Sequence, residues 1–495
     1  MALRIEVTGN KPAEIAAKAP IAIFVNEKPA ALPPWVRELD RPLADAIRAR
    51  WEHTPFDGRQ GKSAFVTAAD GSSAFLIGLG KKSRMDPESI RRAYGSLIKA
   101  ARTERVKHVA AALPAGGDAA ATPEAATVGA ILANYLFSTY QFDKTPLTPQ
   151  VESLTLWEPA AARRRTVAKG VTTGIILAEA TSRVRDLVNT PANDLTPENY
   201  AKIAAKWCDE AGVKLQVLGP REIIRAGMGA VMAVGGGSAN TPRFLIATYL
   251  GRKRQAKVVD YALVGKGVTF DTGGISIKPS ADMWEMRGDM MGSAVMLASI
   301  CAAAKLKLPH NLIALAPLVE NMPSGTAYRP GDVVKTLSGL TVEIISTDAE
   351  GRMILADALT YAQRFNPKLI IDCATLTGAI AVALGDVCGA VFTESDAHAR
   401  AFERAAGETG EKVWRMPLYS EYDDKIKSVV ADMMNSGGRY GGGPIAARFL
   451  KKFTGGFPWV HLDIAGVDLD KQGSTYCPKG ASGYGARLML EFLRK

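Results

Sequence analysis

Short apolar runs and helix-like stretches alternate through the first third of the chain. "IAIFV" (21–25) and "AFLIGLG" (74–80) are continuous apolar runs of strand length. "PESIRRAYGSLIKAARTE" (87–104) instead repeats its apolar positions every three or four residues, the spacing that puts them on one face of a helix. "AALPAGGDAAATPEAATVGA" (111–130), rich in Ala, Gly and Pro, is expected to be a loop leading into a further helix. Residues 161–188 read as one long amphipathic helix, and a connector of that kind places a small N-terminal α/β domain over 1–165 and a larger domain over 166–495.

Beyond the connector, Thr196 is a good N-cap, Pro197 fits the first helical position, and Gly212 can close the helix. Apolar runs then recur as "RFLIATYL", "VVDYALVGKGVTF", "TVEIIST", "KLIIDCATL" and "WVHLDIAG", with helical patterns between them. That rhythm predicts an α/β domain built on a mixed, mainly parallel sheet. No repeat of 20 to 50 residues is visible.

Composition narrows the class. A chain of 495 residues exceeds one ordinary core, and 47% hydrophobic with 22% charged residues describes a folded protein. Cys208, Cys301, Cys373, Cys388 and Cys477 are scattered without CxxC pairing, which argues for reduced thiols in a cytoplasmic protein rather than a disulfide frame. The N-terminus has no continuous apolar signal region, and no run approaches the roughly 20 apolar residues of a membrane helix. The net charge of +11 would suit an acidic partner, yet the basic runs at 163–165 and 251–257 lack interleaved aromatics. Solvated basic surface is therefore favoured over DNA binding.

In open α/β sheets chemistry collects where strands end at their carboxyl edge. There the chain carries Lys266, Asp271 and Lys278, then Asp289, then Asp348, Glu350 and Arg352. Their neighbours are mostly small or apolar, so the charges should be partly buried, and buried carboxylates need a partner or a metal. A salt-bridged core and a two-metal hydrolase site both satisfy that requirement. The five histidines lie away from these clusters, which excludes a zinc site of the HExxH type. Phosphate-loop readings are weak: "GKG" (265–267) lacks the full motif, and "GGRYGGGP" (437–444) opens a helix without a preceding strand. The latter is expected to form a flexible wall of a cleft.

Seven stretches together carry a resemblance: "RDLVNTPANDLTPE" (185–198), "VGKGVTFDTGGISIKP" (264–279), "MRGDMMGSA" (286–294), "TDAEGRMILADAL" (347–359), "DCATLTGA" (372–379), "NSGGRYGGGP" (435–444) and "PWVHLDIAG" (458–466). In this order they resemble the leucyl aminopeptidases of the cytosol aminopeptidase family. The resemblance implies an exopeptidase with two divalent ions, zinc or manganese, on Lys266, Asp271, Asp289, Asp348 and Glu350. Asp271 would bridge the ions, and the backbone carbonyl of Asp348 would also lie within reach of one. Lys266 would bind as the neutral amine. Lys278 would stabilise the developing oxyanion, Arg352 would hold bicarbonate as a proton shuttle, and Met286, Thr375 and Gly378 would line a pocket for leucine-like residues. Gly351 would permit a tight turn between a strand "EIIST" and the helix "MILADAL".

The implied substrates are short peptides and the implied assembly is a homohexamer. A dipeptidase for cysteinyl-glycine is the related alternative. Ser346 stands where the family usually has Asn, Arg287 where it has Lys, and "TYCPKGASGYGARLML" (475–490) is only loosely similar.

Overall fold

The computed structural model describes residues 3–28, 31–53, 56–114, 118–143, 149–252 and 258–495. The described chain separates into two compact units, Met1–Glu179 with Lys471–Lys479, and Ala180–Asp470 with Gly480–Lys495. The helix Ala161–Asn189 runs through the division. Most of the basic run at 251–257 lies outside the described residues, as do 115–117 of the expected loop at 111–130. No described helix is long and apolar enough to cross a membrane.

The first unit is a six-stranded sheet in the order Arg4–Thr8, Ser153–Trp157, His108–Ala112, Ile21–Asn26, Ser73–Gly80, Ser63–Thr67. All pairs are parallel except the last. The helix Pro87–Thr103 starts at Asp86, whose carboxylate accepts the Ser89 N–H at 2.7 Å while Ser89 Oγ accepts the Asp86 N–H at 2.9 Å. This reciprocal cap satisfies two donors that the first helical turn would leave orphaned. Ile90, Ala93, Tyr94, Leu97 and Ile98 then fall on one buried face.

The second unit is built on a nine-stranded sheet. Its parallel centre comprises Trp459–Asp463, Leu369–Ala374, Tyr261–Gly265 and Asn311–Asn321, with Gly267–Asp271 also beside Asn311–Asn321. Gly389–Phe392 and Arg243–Leu250 flank that centre antiparallel. The expected mixed, mainly parallel sheet is thus the one observed. All five central strands end on the same edge.

Three details differ from the sequence expectation. "TVEIIST" is strand only over Thr341–Glu343, and it pairs with Val333–Lys335 and Met433–Met434 in a separate small sheet. Beyond it the N–H groups of Ile345 and Ser346 turn to the side chain of Asn435 instead of a neighbouring strand. "VVDYALVGKGVTF" breaks at Lys266, whose N–H bonds to the Cys373 carbonyl and whose carbonyl accepts from Ser293. The chain thereby leaves Leu369–Ala374 and continues along Asn311–Asn321. Finally, "GGRYGGGP" does follow a strand, the two-residue Met433–Met434, before the helix Gly442–Lys451.

A candidate two-metal centre

The central strands deliver the charged residues to their shared carboxyl edge. Asp271 ends Gly267–Asp271 and lies opposite Asn321 in register. Lys266 sits at the bend just before that strand. Asp289 follows the 3-10 turn Met283–Gly288 and precedes the helix Met291–Lys305. Glu350 is the first residue of the helix Glu350–Ala362, where the aligned peptide dipoles favour a carboxylate. Lys278 and Asp348 lie in the intervening loops. Lys266, Asp271, Asp289, Glu350 and Arg352 are all buried.

The groups interlock closely. Carboxylate oxygens of Asp271, Asp348 and Glu350 all lie within 4.8 Å of one another. Lys266 Nζ is 2.7 Å from Asp289 Oδ1 and 2.8 Å from Glu350 Oε1, and it donates to the Thr375 carbonyl at 2.8 Å. Lys278 Nζ is 2.9 Å from Asp271 Oδ2 and forms an ion pair with Asp348. Four carboxylates thus share two ammonium groups.

The electrostatics register that excess of negative charge. Burial, reinforced by Glu350, pushes the Asp271 carboxyl up to about 6 against the pull of Lys278 and Lys266. Burial likewise pushes Asp289 well above the ordinary carboxylate range. Glu350 goes the other way: burial would raise it, but Lys266 and Lys278 hold it below its usual value. Burial pulls the Lys266 ammonium down, and the surrounding carboxylates of Asp289, Glu350 and Asp271 outweigh it, so that the lysine holds its proton more tightly than usual.

Two buried oxygens, Asp289 Oδ2 and Glu350 Oε2, have no hydrogen-bond partner among the described residues. A closed ion-pair lattice would satisfy them. Buried carboxylate oxygens held near further carboxylates are the donor set of a divalent cation.

Arg352 presents the complementary case. Its Nη1 donates to the main-chain oxygen of Asn435 at 2.8 Å, while its Nε has no partner among the described residues. Burial pushes the guanidinium down to about 10, opposed by Glu350, Asp463 and Asp348. A buried guanidinium with a free face suits a small planar anion.

The expected pocket residues are less alike. Thr375 gives its hydroxyl to Asp289 Oδ1 at 2.8 Å, so part of its side chain serves the acidic cluster. Met286 is half-buried in the 3-10 turn. Gly378 opens the helix Gly378–Leu384, and a Cβ there would meet nothing within 4 Å.

Gly351 needs a corrected explanation. It lies inside the helix with ordinary backbone angles, not in a tight turn. Its missing side chain makes room for Lys266: a Cβ would lie 2.6 Å from Lys266 Cε.

Several further residues of the site went unnoticed in the sequence. Asn321 donates to Asp271 Oδ1 at 2.8 Å, and Asn435 braces Arg352. Asp463 accepts the N–H groups of Leu376 and Thr377 and the Thr377 hydroxyl, which holds the loop that presents Thr375. A cavity of about 680 Å³ against Tyr261 and Leu369 lies at the opposite, amino edge of these strands and is lined by none of the charged residues above.

Comparison with known proteins agrees along the whole chain. The catalytic-domain model of the cytosol aminopeptidase family matches residues 182–490, and the N-terminal-domain model of the same family matches 21–144. The chain belongs to the cytosol aminopeptidase family. A probable cytosol aminopeptidase of Syntrophotalea carbinolica is 41% identical over 469 residues, 93% of this chain and 94% of the relative. One from a Geobacter species is 39% identical over 502 residues, covering 100% of both. A solved structure of a tomato leucine aminopeptidase mutant is similar with a TM-score of 0.88 and 30% identity, covering 99% of this chain and 96% of that one. The bottromycin maturation enzyme in complex with Mn is similar with a TM-score of 0.84 and 34% identity, over 96% and 99%. This member of the family is a metalloexopeptidase, a hydrolase that acts as an aminopeptidase.

Proposed function

We propose that this aminopeptidase removes N-terminal leucine and similar apolar residues from short peptides, using two divalent cations held by Lys266, Asp271, Asp289, Asp348 and Glu350. The observation that carries the reading is the pair of buried, unpartnered oxygens on Asp289 and Glu350 within a four-carboxylate cluster. Zinc and manganese both suit such donors, and manganese has the further support of the similar enzyme solved with Mn. Lys266 joins the set only after losing the proton its carboxylate neighbours now hold. Bound divalent cations at such a site supply an activated water and a polarised carbonyl at neutral pH.

The chain's own residues do the rest. Lys278 carries an ammonium group beside Asp271 and Asp348, where it can neutralise charge developing on the scissile carbonyl oxygen. Arg352 anchors bicarbonate through its free guanidinium face, and that anion supplies a base of suitable strength when bound. Met286, Thr375 and Gly378 line the side-chain pocket, and the open space over Gly378 leaves room for a medium apolar side chain.

We further infer a cytoplasmic homohexamer in which 1–165 forms the N-terminal domain and 166–495 the catalytic domain. Exposed apolar side chains at Val382, Tyr419, Val429, Val430 and Tyr440 are the kind of surface a second copy covers.

Hydrolysis of a leucyl anilide before and after chelation, with manganese or zinc added back, tests the reading. Turnover that chelation leaves intact would sink it. A peptide panel containing cysteinyl-glycine then decides the substrate class.

A further inference from the structure

Asn321 is fully buried at the end of the strand Asn311–Asn321. Its Nδ2 donates to Asp271 Oδ1 at 2.8 Å and to the Thr347 main-chain oxygen at 3.0 Å. Both partners are pure acceptors, so the orientation of the amide is dictated and both of its hydrogens are used. The two acceptors sit on different segments: one carries Asp271 and Lys278, the other Asp348 and Glu350.

Further bonds join the same segments. Thr347 Oγ1 donates to the Gly273 carbonyl at 2.6 Å and accepts the Ser276 N–H at 2.7 Å. Tyr328 Oη donates to the Thr347 main-chain oxygen, the one Asn321 also reaches, at 2.8 Å. Asn321 supplies the one side chain among these that reaches a carboxylate of the cluster, beside the Gly273 N–H, which donates to the same Asp271 Oδ1 at 2.8 Å. It fixes Asp271 from one side while pinning the peptide that leads into Asp348.

We propose that Asn321 is a positioning residue that sets the spacing between Asp271 and the Asp348–Glu350 pair, and with it the spacing of the two cations. The inference rests on the two-metal reading above. Partners that orient metal ligands typically change affinity about 10- to 100-fold when removed.

The test uses the full chain, stripped of metal and titrated with Mn²⁺ alone by calorimetry, with electron paramagnetic resonance reporting the exchange coupling of a manganese pair. Asn321→Leu keeps volume but removes the donor. It is expected to weaken at least one Mn²⁺ site about 10- to 100-fold and to lose or shift the coupled signal. Tyr328→Phe, which leaves Asp271 untouched, should change affinity by less than about threefold. Asn321→Ala, which leaves room for water, serves as the second variant. A purely structural role would lower the melting temperature without moving the coupling. Wild-type affinity and coupling in either folded Asn321 variant would overturn the inference alone. Failure of both to fold, beside a wild-type-like Tyr328→Phe, would assign Asn321 a structural role and also overturn it. A wild-type chain that binds no manganese pair would overturn the two-metal reading, and this inference with it.

Discussion

Lys266 lies across the α-carbon of Gly351, so that a Cβ at position 351 would sit 2.6 Å from Lys266 Cε and 2.8 Å from its Nζ. Glycine in a helix normally costs up to about 1 kcal/mol relative to alanine. Here that cost maintains the path of a buried side chain. Gly351→Ala should therefore leave the helix intact and displace Lys266 from Asp289 and Glu350. A displacement of about 1 Å in a catalytic constellation can cost on the order of 100-fold. The expected outcome is a fall in turnover of at least about tenfold with a melting temperature within a few degrees of wild type. Unchanged turnover would mean that Lys266 adjusts freely.

Lys278 is the more exposed of the two lysines, with 22% of its side chain accessible against 3% for Lys266. That difference suits Lys278 to meet a substrate and Lys266 to stay within the cluster. Lys278→Ala is expected to lower kcat by about 10²- to 10³-fold, the cost of one oxyanion donor, with KM changed only a few-fold. Steady-state kinetics on a leucyl anilide separates the two parameters. Full turnover in the variant would exclude the oxyanion role.

Arg352 makes no ion pair with a carboxylate among the described residues and leaves Nε without a partner. If that face holds bicarbonate, bicarbonate added to carbonate-depleted buffer should raise wild-type turnover and leave Arg352→Met unaffected. The variant should lose about 10²- to 10⁴-fold, the usual range for general acid–base assistance. Arg352→Lys should rescue little, because a single ammonium cannot offer the paired donors of a guanidinium. Equal bicarbonate stimulation of wild type and Arg352→Met would place the anion elsewhere.

What the sequence made legible follows from charge and from local order. Asp271, Asp289, Asp348, Glu350, Lys266 and Lys278 stand out because charges among small and apolar neighbours are costly unless something compensates them. Asn321, Thr347 and Asn435 carry no charge, and their side-chain bonds run to residues 26 to 90 positions away, so no local pattern marks them. The long buried strand Asn311–Asn321 contains Pro317, and proline in a run argues against a central strand. "EIIST" reads as continuous strand, but the side chain of Asn435 takes over its N–H groups at Ile345. The glycine at 351 was noticed for its backbone freedom, while its reason lies in a side chain 85 residues away in sequence.

His461 and Asp372 form a buried pair, with His461 Nδ1 2.6 Å from Asp372 Oδ1 and Trp459 Nε1 donating to Asp372 Oδ2 at 2.6 Å. Burial pushes the imidazole down, but Asp372, helped by Asp463 and opposed by Arg352, holds it above its ordinary 6.5. A proton bound more tightly in the folded chain stabilises that chain. The contribution is complete below about pH 6.5 and is lost as pH rises through the folded value. Truncating one partner of a buried pair costs about 3 to 5 kcal/mol, so His461→Asn should melt well below wild type. The gap should be widest near pH 6 and narrow towards pH 9. Melting curves of both proteins across that range measure it, and the difference between them cancels titration elsewhere. A gap that stays constant or widens with pH would mean that His461 is neutral in the fold.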